Sequence, residues 1–353
     1  MRHAAITGWG EYTPPAVLSN QDLASVIDTN DEWITTRTGI KERRISHVAN
    51  AEMATAAGRK ALAAAGLDAT DMDLIVVATC TADRAVPSVA AYVQRNLGGL
   101  AGTMDLNAAC SGFIYALSVA NGMIAAGTIS RALIIGSERL SAYLDFQDRT
   151  TSVLFGDGAG AVVVEATDGP EGLLASNVHS DGSLTDILAI RGGGTEVMFD
   201  HDARATVDME GREVFRHAVT RMGEGAIVAI ENAGIDIGQI DVLISHQANI
   251  RIIDAMAKRL NVDPDHVYTN IHAYGNTSAA SIPIALSEAL DQGVIEPGAL
   301  IAMVAFGGGL TWGAAVVRWG DRTERVSEAD SGIPWTDKTG LELLAERTQG
   351  LGI

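Results

Sequence analysis

Two related copies of one α/β segment occur in this chain, and this duplication restricts the fold more than any other feature. Residues 65–76 read Ala-Gly-Leu-Asp-Ala-Thr-Asp-Met-Asp-Leu-Ile-Val, and residues 233–244 read Ala-Gly-Ile-Asp-Ile-Gly-Gln-Ile-Asp-Val-Leu-Ile. In each copy a helical pattern ends at Ala-Gly, a short polar turn follows, and an apolar strand begins. The two segments therefore predict a repeated helix–turn–strand unit.

Further matches keep the same order along the chain. Residues 127–134 match 293–301 with one insertion, and each copy then closes on a Gly-rich turn that leads into an apolar strand. The chain is thus predicted to form two similar α/β halves, residues 1–170 and 171–320. A polar extension, residues 321–353, follows them.

Cys110 is the first candidate for chemistry, and it is one of only two cysteines. It lies where an extended run turns into a helix, and residues 113–126 are apolar on nearly every face, which predicts a buried helix. A thiol at a helix N-terminus is close to unpaired backbone N–H groups, which favour a thiolate and can bind an oxyanion. The alternative is an inert buried side chain, the interpretation that we give Cys80.

His246 and Asn276 are candidate partners of this thiol. His246 ends an apolar strand, and Asn276 lies in a glycine turn before a helix. Taken singly, each is more typical of a structural hydrogen bonder or a turn residue. However, the offset of 168 residues between positions 65 and 233 carries Cys110 to within two residues of Asn276. If the halves pack about a pseudo-twofold axis, both turns face one crevice, with His246 beside them.

The composition is that of a compact acidic protein, with a net charge of −19 and 47% hydrophobic residues. This charge argues against binding to nucleic acid or to a membrane surface. The first ten residues read as a strand and not as a signal sequence, and no apolar run is long enough to span a bilayer. Two unpaired cysteines indicate a reducing environment, so we expect a cytoplasmic protein.

Together these motifs resemble the thiolase-fold condensing enzymes, and specifically the β-ketoacyl-acyl carrier protein synthase III family. The resemblance runs from Ile6 to about Trp319. It implies an internally duplicated thiolase-like fold, layered α-β-α-β-α, with buried helices at its centre. It rests on seven collinear segments, at residues 30–44, 105–117, 147–149, 155–160, 245–249, 270–280 and 306–313.

The resemblance also implies a reaction and its catalytic residues. Cys110 would accept an acyl group from an acyl-CoA primer, and the backbone N–H groups of Cys110 and Gly308 would form the oxyanion hole. Malonyl-acyl carrier protein would then lose carbon dioxide, and His246 and Asn276 would donate hydrogen bonds to the resulting enolate. Phe306 matches the family's gate residue, an apolar wall against the malonyl carboxylate. Neither a cofactor nor a metal is expected.

Several further positions match the family's contacts with its substrates and partner subunit. Trp33 and Arg149 correspond to the pair that encloses the CoA adenine, and Thr29, Arg37 and Asn249 match other CoA positions. Without the resemblance we would interpret these as ordinary structural or surface residues. Arg216, Arg251, Lys258 and Arg259 predict a local positive patch that docks the acidic carrier protein. The alternative is that they form an ordinary solvated face.

The chain departs from the family in two places. In the family a loop crosses the homodimer interface, and its residue before proline lines the partner's acyl pocket. Here that residue is Val86, whose modest size predicts room for primers beyond acetyl. The 321–353 extension is the other departure; it contains a short helix candidate at 341–347, and we expect a surface appendage.

Other classes of protein share part of this pattern. A papain-like hydrolase has the same order of Cys, His and Asn, but it needs a secretory leader and disulfides and does not explain the duplication. A related condensing enzyme of polyketide or secondary metabolism, or an acyltransferase with a different acceptor, remains open. A catalytically silent partner subunit is disfavoured by the intact set of candidate residues.

Overall fold

Two five-stranded sheets with the same strand order form the framework of the protein. The computed structural model describes residues 2–192, 194, 195 and 205–349. The elements up to the end of the first sheet are β1 (His3–Tyr12), β2 (Val17–Ser19), α1 (Asn20–Ala24), α2 (Asp31–Thr38), β3 (Glu42–Arg44), α3 (Asn50–Ala65), β4 (Leu74–Ala78), α4 (Val89–Leu97), β5 (Gly102–Leu106), α5 (Gly112–Ala125), β6 (Arg131–Arg139) and β7 (Asp157–Thr167).

The second part of the chain repeats this plan. Its elements are β8 (Gly172–Ser180), β9 (Leu188–Arg191), β10 (Thr206–Met209), α6 (Gly211–Asn232), β11 (Val242–Ser245), α7 (Ile250–Leu260), β12 (Val267–Tyr268), α8 (Ile271–Tyr274), α9 (Ser281–Asp291), β13 (Leu300–Gly307), β14 (Thr311–Arg318) and α10 (Gly340–Gln349).

Strand order relates the two sheets. The first sheet runs β1-β7-β6-β4-β5, and the second runs β8-β14-β13-β11-β12. Strand β4 in the first sheet and β11 in the second are each parallel to both of their neighbours, and the remaining pairs are antiparallel. The boundary predicted near residue 170 falls between β7 and β8, where the chain passes from one sheet to the other.

Helices α5 and α9 fill the space between the two sheets. The largest apolar cluster joins both helices to inward-facing residues of both sheets, and α5 contributes the fully buried Phe113, Ile114 and Leu117. A helix covered on two sides must be apolar around most of its circumference, which is why α5 lacks a polar face. A second cluster lies between the first sheet and α3 and α4, and a third between the second sheet and α6 and α7. The predicted α-β-α-β-α thiolase-like fold is confirmed.

Glycines allow the central helix α9 to lie directly on the first sheet. A Cβ at Gly136 would stand 2.2 Å from the carbonyl oxygen of Ala279, and one at Gly160 would stand 2.6 Å from the backbone nitrogen of Ile284. Real Cβ atoms do not approach backbone so closely, so any side chain here would push the helix away. The Gly-rich turn found in the sequence therefore serves backbone packing.

A small subdomain of β2, β3, α1 and α2 lies against the body, and Arg43 fixes it. This arginine is fully buried and donates to the carbonyl oxygens of Leu18 and Val153 and to the side-chain oxygen of Asn20. Burial lowers its pKa to about 10. The subdomain carries Trp33, so these contacts bear on the site described below.

The C-terminal extension is more integrated than the predicted appendage. Arg325 pairs with Asp291 at 2.6 Å and with Glu11 at 3.4 Å, and Val326 donates its N–H to the carbonyl of Ala64. Farther on, α10 buries Leu344 in the cluster that supports the subdomain. The extension therefore ties the outer face of the first half to that subdomain. The sequence predicted a surface appendage but not its anchoring, because scattered polar anchors in a polar segment leave no periodic pattern.

We expect Arg325→Ala to lower the free energy of unfolding by about 2 kcal/mol, since its partners would lose their cation at a mostly buried position. Lys338→Ala is the matched control, because Lys338 pairs with Glu346 where both side chains are half exposed. It should cost under about 0.5 kcal/mol. Urea unfolding of the two variants checks this, and equal losses would contradict the anchoring role.

Candidate active site

A cavity of about 680 Å³ lies where the N-terminal ends of α5 and α9 meet. Both helices are preceded by a single 3₁₀ turn, at Ala109–Ser111 and Ser278–Ala280. The cavity is lined by Cys110, His246 and Asn276, together with apolar side chains from both halves. The structure thus brings the three predicted residues into one space.

The two turns are equivalent in detail. Ala109 and Ser278 both adopt left-handed backbone, with φ values of 46° and 50°. In each turn the residue's N–H is held by an asparagine side chain two positions earlier, Asn107 in one and Asn276 in the other. Asn276 is therefore the counterpart of Asn107. The 168-residue offset from Cys110 led to the equivalent turn, but Asn276 is not the position equivalent to Cys110. Left-handed backbone outside glycine is uncommon and gathers at functional sites.

The thiol of Cys110 differs from our expectation of a stabilised thiolate. Cys110 is half-buried and its thiol is enclosed by protein atoms; this burial raises its pKa to about 12. The Ser278 hydroxyl acts in the opposite direction, and the carboxylate of Glu138 raises the pKa further. This pKa favours the protonated thiol near neutral pH, in place of the thiolate expected at a helix N-terminus. Desolvation and the buried Glu138, which lies far from Cys110 in sequence, leave no pattern at the cysteine itself.

His246 enters the cavity directly after β11 and is almost wholly buried. Its Nδ1 lies 2.7 Å from the Ser281 hydroxyl, which also accepts the Gln247 N–H at 3.4 Å. We assign the tautomer in which the serine proton is donated to Nδ1 and the imidazole hydrogen lies on Nε2. Burial lowers the pKa of His246 to about 3, so the ring is a neutral hydrogen-bond donor.

The carboxamide of Asn276 is oriented by its own turn. Its Oδ1 accepts the Ser278 N–H at 2.8 Å, which leaves the Nδ2 hydrogens as donors. The backbone of Asn276 pairs with the segment before β7, donating to Leu154 and accepting from Gly156. A neutral imidazole and a carboxamide therefore present two uncharged donors to the same cavity.

Phe306 and Gly308 belong to the same lining, at the turn between β13 and β14. A Cβ at Gly307 would lie 2.6 Å from the backbone nitrogen of Cys110, so this turn and the turn of Cys110 are in direct backbone contact. At Gly308 a Cβ would lie 2.7 Å from the carbonyl oxygen of Leu188, which accounts for a second glycine. Cys110 and Gly308, whose N–H groups are the predicted oxyanion donors, both line the cavity.

Trp33 lies outside the cavity lining, beside the apolar cluster that forms one cavity wall. The guanidinium carbons of Arg37 and Arg149 are 4.6 Å and 5.3 Å from the centre of its ring. Both arginines therefore stack on the tryptophan, an arrangement that offers π surfaces and positive charge to a planar, anionic ligand. Nearby, the buried Thr29 hydroxyl has no hydrogen-bond partner among the described residues.

Asn249 lines the cavity, but its side chain already caps α7 by accepting the Arg251 N–H. Arg251, Lys258 and Arg259 are exposed on that helix. Arg216 is different, because it forms an ion pair with Glu213 on its own helix. Of the four predicted basic residues, this pairing makes Arg216 the weakest contributor of positive charge.

Val86 is 80% exposed and is not part of the cavity lining of its own chain. The neighbouring strand β5 is an edge strand, and Leu100 just before it is 97% exposed. An exposed valine, an exposed leucine and an open strand edge form a surface suited to pairing with another chain.

Two residues of this site escaped the sequence analysis. Ser281 orients His246, and Glu138 lies buried beside Cys110. Glu138 left one signal, an acidic residue at the end of an otherwise apolar strand; Ser281 left none, because serine before a helix is common.

In the part of the chain that the structure describes, no group of three or more His, Cys, Asp or Glu side chains could hold a metal ion, and no helix is both long and apolar enough to cross a bilayer.

The low pKa of His246 links protonation to stability. The ordinary value of about 6.5 applies in the unfolded chain, which therefore binds a proton that the folded protein excludes as the pH falls from 6.5 toward 3. Between pH 7 and pH 5 wild-type protein should lose about 2 kcal/mol of unfolding free energy relative to His246→Gln. Urea unfolding of both proteins at the two pH values measures this, and an unchanged difference would contradict a neutral buried imidazole.

Comparison with known proteins identifies the family. Residues 104–182 match the model for 3-oxoacyl-[acyl-carrier-protein] synthase III, and residues 230–319 match the model for its C-terminal part. A Vibrio cholerae protein named β-ketoacyl-[acyl-carrier-protein] synthase III 2 is 48% identical over 347 residues, covering 98% of this chain and 96% of its own length.

Solved structures agree with this assignment. The Aquifex aeolicus 3-oxoacyl-[acyl-carrier-protein] synthase III has 46% identity and a TM-score of 0.85, over 90% of this chain and all of its own. The priming β-ketosynthase of the R1128 polyketide pathway has 36% identity and a TM-score of 0.87, over 91% of this chain and 97% of its own. The chain belongs to the β-ketoacyl-acyl carrier protein synthase III family of acyltransferases.

Proposed function

We propose that the enzyme condenses an acyl-CoA primer with malonyl-acyl carrier protein, giving 3-oxoacyl-acyl carrier protein, CoA and carbon dioxide, and so initiates fatty-acid synthesis. The observation that carries this proposal is the convergence of Cys110, neutral His246 and oriented Asn276 on one cavity. Family membership supplies the reaction class. The acyl-enzyme step and the individual substrates are proposals.

In the first half-reaction the Cys110 sulfur attacks the thioester carbonyl of the primer. The tetrahedral oxyanion forms beside the N–H groups of Cys110 and Gly308, and CoA thiolate leaves. The primer acyl group remains on the sulfur as a thioester. The apolar lining of the cavity, which includes Phe155, Leu188 and Val207, suits an acyl chain.

The second half-reaction needs donors without a base. Decarboxylation of the malonyl group leaves an enolate, and a proton delivered to its carbon would waste it. His246, which keeps a proton on Nε2 and has little basicity, and the Asn276 carboxamide stabilise the enolate oxygen by hydrogen bonds. The enolate carbon then attacks the acyl-cysteine. Phe306 supplies an apolar wall that disfavours the malonyl carboxylate and favours its loss.

The carriers are proposed to bind around the cavity entrance. Trp33 with Arg37 and Arg149 offers a stacking and charged surface for the CoA adenine, and Thr29 has an unused hydroxyl beside them. Asn249 lines the cavity itself. For the carrier protein, the proposed surface consists of the exposed Arg251, Lys258 and Arg259, with Arg216 at its edge. Because the chain is otherwise acidic, this attraction must be local and weakened by salt.

A homodimer completes the proposal. The exposed edge strand β5 and the exposed loop at Val86 suit an isologous interface through which each subunit would place its valine against the other's acyl pocket. A valine there leaves more room than a large aromatic residue would, so primers longer than acetyl are expected.

The two free cysteines and the thiol nucleophile suit a reducing cytoplasm. No cofactor or metal has a step in this chemistry.

Priming of a specialised polyketide is the second candidate. Its support is the likeness to the priming β-ketosynthase of the R1128 pathway, together with a largely apolar cavity of about 680 Å³. The same catalytic residues would serve both functions. The primer that the enzyme accepts, and the carrier protein that discharges it, separate the two.

We expect intact-protein mass spectrometry to detect one acyl adduct after incubation with a panel of acyl-CoAs, and malonyl-acyl carrier protein to discharge it as 3-oxoacyl product. Cys110→Ala should form no adduct, whereas Cys80→Ala should retain it. An adduct that malonyl-acyl carrier protein leaves in place would favour an acyltransferase with another acceptor. No adduct from any primer would contradict the proposed function.

A further inference from the structure

Glu138, at the end of β6, is a fully buried carboxylate beside the nucleophile. Its Oε1 accepts hydrogen bonds from the Ser278 hydroxyl at 3.1 Å and from the Cys80 thiol at 3.3 Å, and the Cys80 N–H donates to both oxygens at 3.2 Å. Its Oε2 accepts from the hydroxyls of Thr81 at 2.5 Å and Thr79 at 3.2 Å. Every one of these partners is a donor.

Other donors orient part of this cluster. Thr79 Oγ1 accepts the amide of Asn50 and the N–H of Thr81, so its own proton is left to donate. Thr81 Oγ1 accepts the Arg139 N–H. The Cys80 N–H can only donate, so the surroundings favour the ionised form of Glu138.

No cation contacts this carboxylate among residues 2–192, 194, 195 and 205–349. Desolvation raises the pKa of Glu138, and hydrogen bonds only partly offset it. The titratable groups that face it are Cys80, from the loop after β4, and Cys110, from the turn before α5; the turn before α9 contributes the hydroxyl of Ser278. A buried anion without a counterion is costly to keep and is a strong base.

Ser278 connects this base to the nucleophile. It is buried, its hydroxyl donates to Glu138, and it lines the cavity together with Cys110. The same hydroxyl lowers the pKa of the Cys110 thiol. The left-handed backbone of Ser278, with φ of 50°, is held by Asn276, so the position is fixed at the cost of strain. With the Ser278 proton donated to Glu138, its oxygen has lone pairs left to accept a proton from Cys110.

We propose that Glu138 takes the proton of Cys110 through the Ser278 hydroxyl during acyl transfer, an inference that rests on the proposed function. The Cys110 S–H bond breaks as a new Ser278 O–H bond forms, while the original serine proton passes to Glu138 Oε1. The sulfur attacks the thioester, the carbon–sulfur bond to CoA breaks, and CoA leaves as a thiolate that takes a proton from water.

Glu138 then holds that proton while Cys110 is acylated. When the enolate carbon attacks the acyl group, the carbon–sulfur bond to Cys110 breaks and the sulfur leaves as a thiolate. The stored proton returns from Glu138 through Ser278 to this sulfur, and the resting state is restored. Throughout the cycle Glu138 and Cys110 together carry at most one negative charge, because their low-polarity surroundings disfavour a second one. His246 cannot replace Glu138, since its basicity is too low.

Glu138→Gln tests this, with Asp157→Asn as the matched control. Asp157 is also fully buried and hydrogen-bonded to serine and backbone groups, but it lies outside the cavity lining. The measurement is the rate of CoA release in a single turnover with acyl-CoA alone, followed across pH. Glu138→Gln should slow the step about 100-fold near neutral pH. Its rate should rise about tenfold per pH unit, because the thiol must then lose its proton to solvent, whereas wild type should level off.

Ser278→Gly removes the CH2OH side chain and tolerates the left-handed backbone, so it should reproduce the slow, steep profile. The inference is overturned if Glu138→Gln keeps the wild-type rate and profile, or if Asp157→Asn changes the profile in the same way. Circular dichroism confirms that each variant is folded before its rate is compared. Failure of wild-type protein to form any acyl-enzyme would instead overturn the proposed function, so the two failures are distinguishable.

Discussion

Contact between the two turns that precede α5 and α9 is the interaction on which the site depends. Gly112 opens α5 at a point where a Cβ would lie 3.0 Å from the Cβ of Ala78 and 3.5 Å from that of Ala279. The nucleophile turn is thereby held against the asparagine turn. Both turns also lie between the two sheets, so all ten strands contribute to their spacing. The cavity forms where these two turns meet.

Burial is also what sets the chemistry of the site. It suppresses charge on Cys110 and His246, and it raises the pKa of Glu138, whose hydrogen-bond partners are donors. A site of this kind stabilises a transient enolate because its donors are neutral and already oriented. The same burial makes removal of the thiol proton the difficult step, which is why a nearby base matters.

Much of this could be predicted from the sequence. The repeated segment predicted two similar α/β halves, because duplicated strands and turns leave matching patterns of apolar residues and glycines. It also led to the turn of Asn276, although the residue that corresponds to Asn276 is Asn107. The state of the thiol could not be predicted, since it depends on how completely the chain encloses it and on Glu138, which lies 28 residues beyond Cys110 in sequence. Likewise, the anchoring of Arg325 joins positions that share no sequence pattern.

In the proposed mechanism Cys110 carries the acyl group with its carbonyl oxygen between two backbone N–H groups. The decisive experiment is a crystal structure of the enzyme soaked with an acyl-CoA. We expect continuous density from the Cys110 sulfur into the apolar cavity, with the acyl oxygen within hydrogen-bond distance of the nitrogens of Cys110 and Gly308. An intact CoA thioester beside an unmodified thiol, or an acyl oxygen directed at His246 and Asn276 instead, would contradict it.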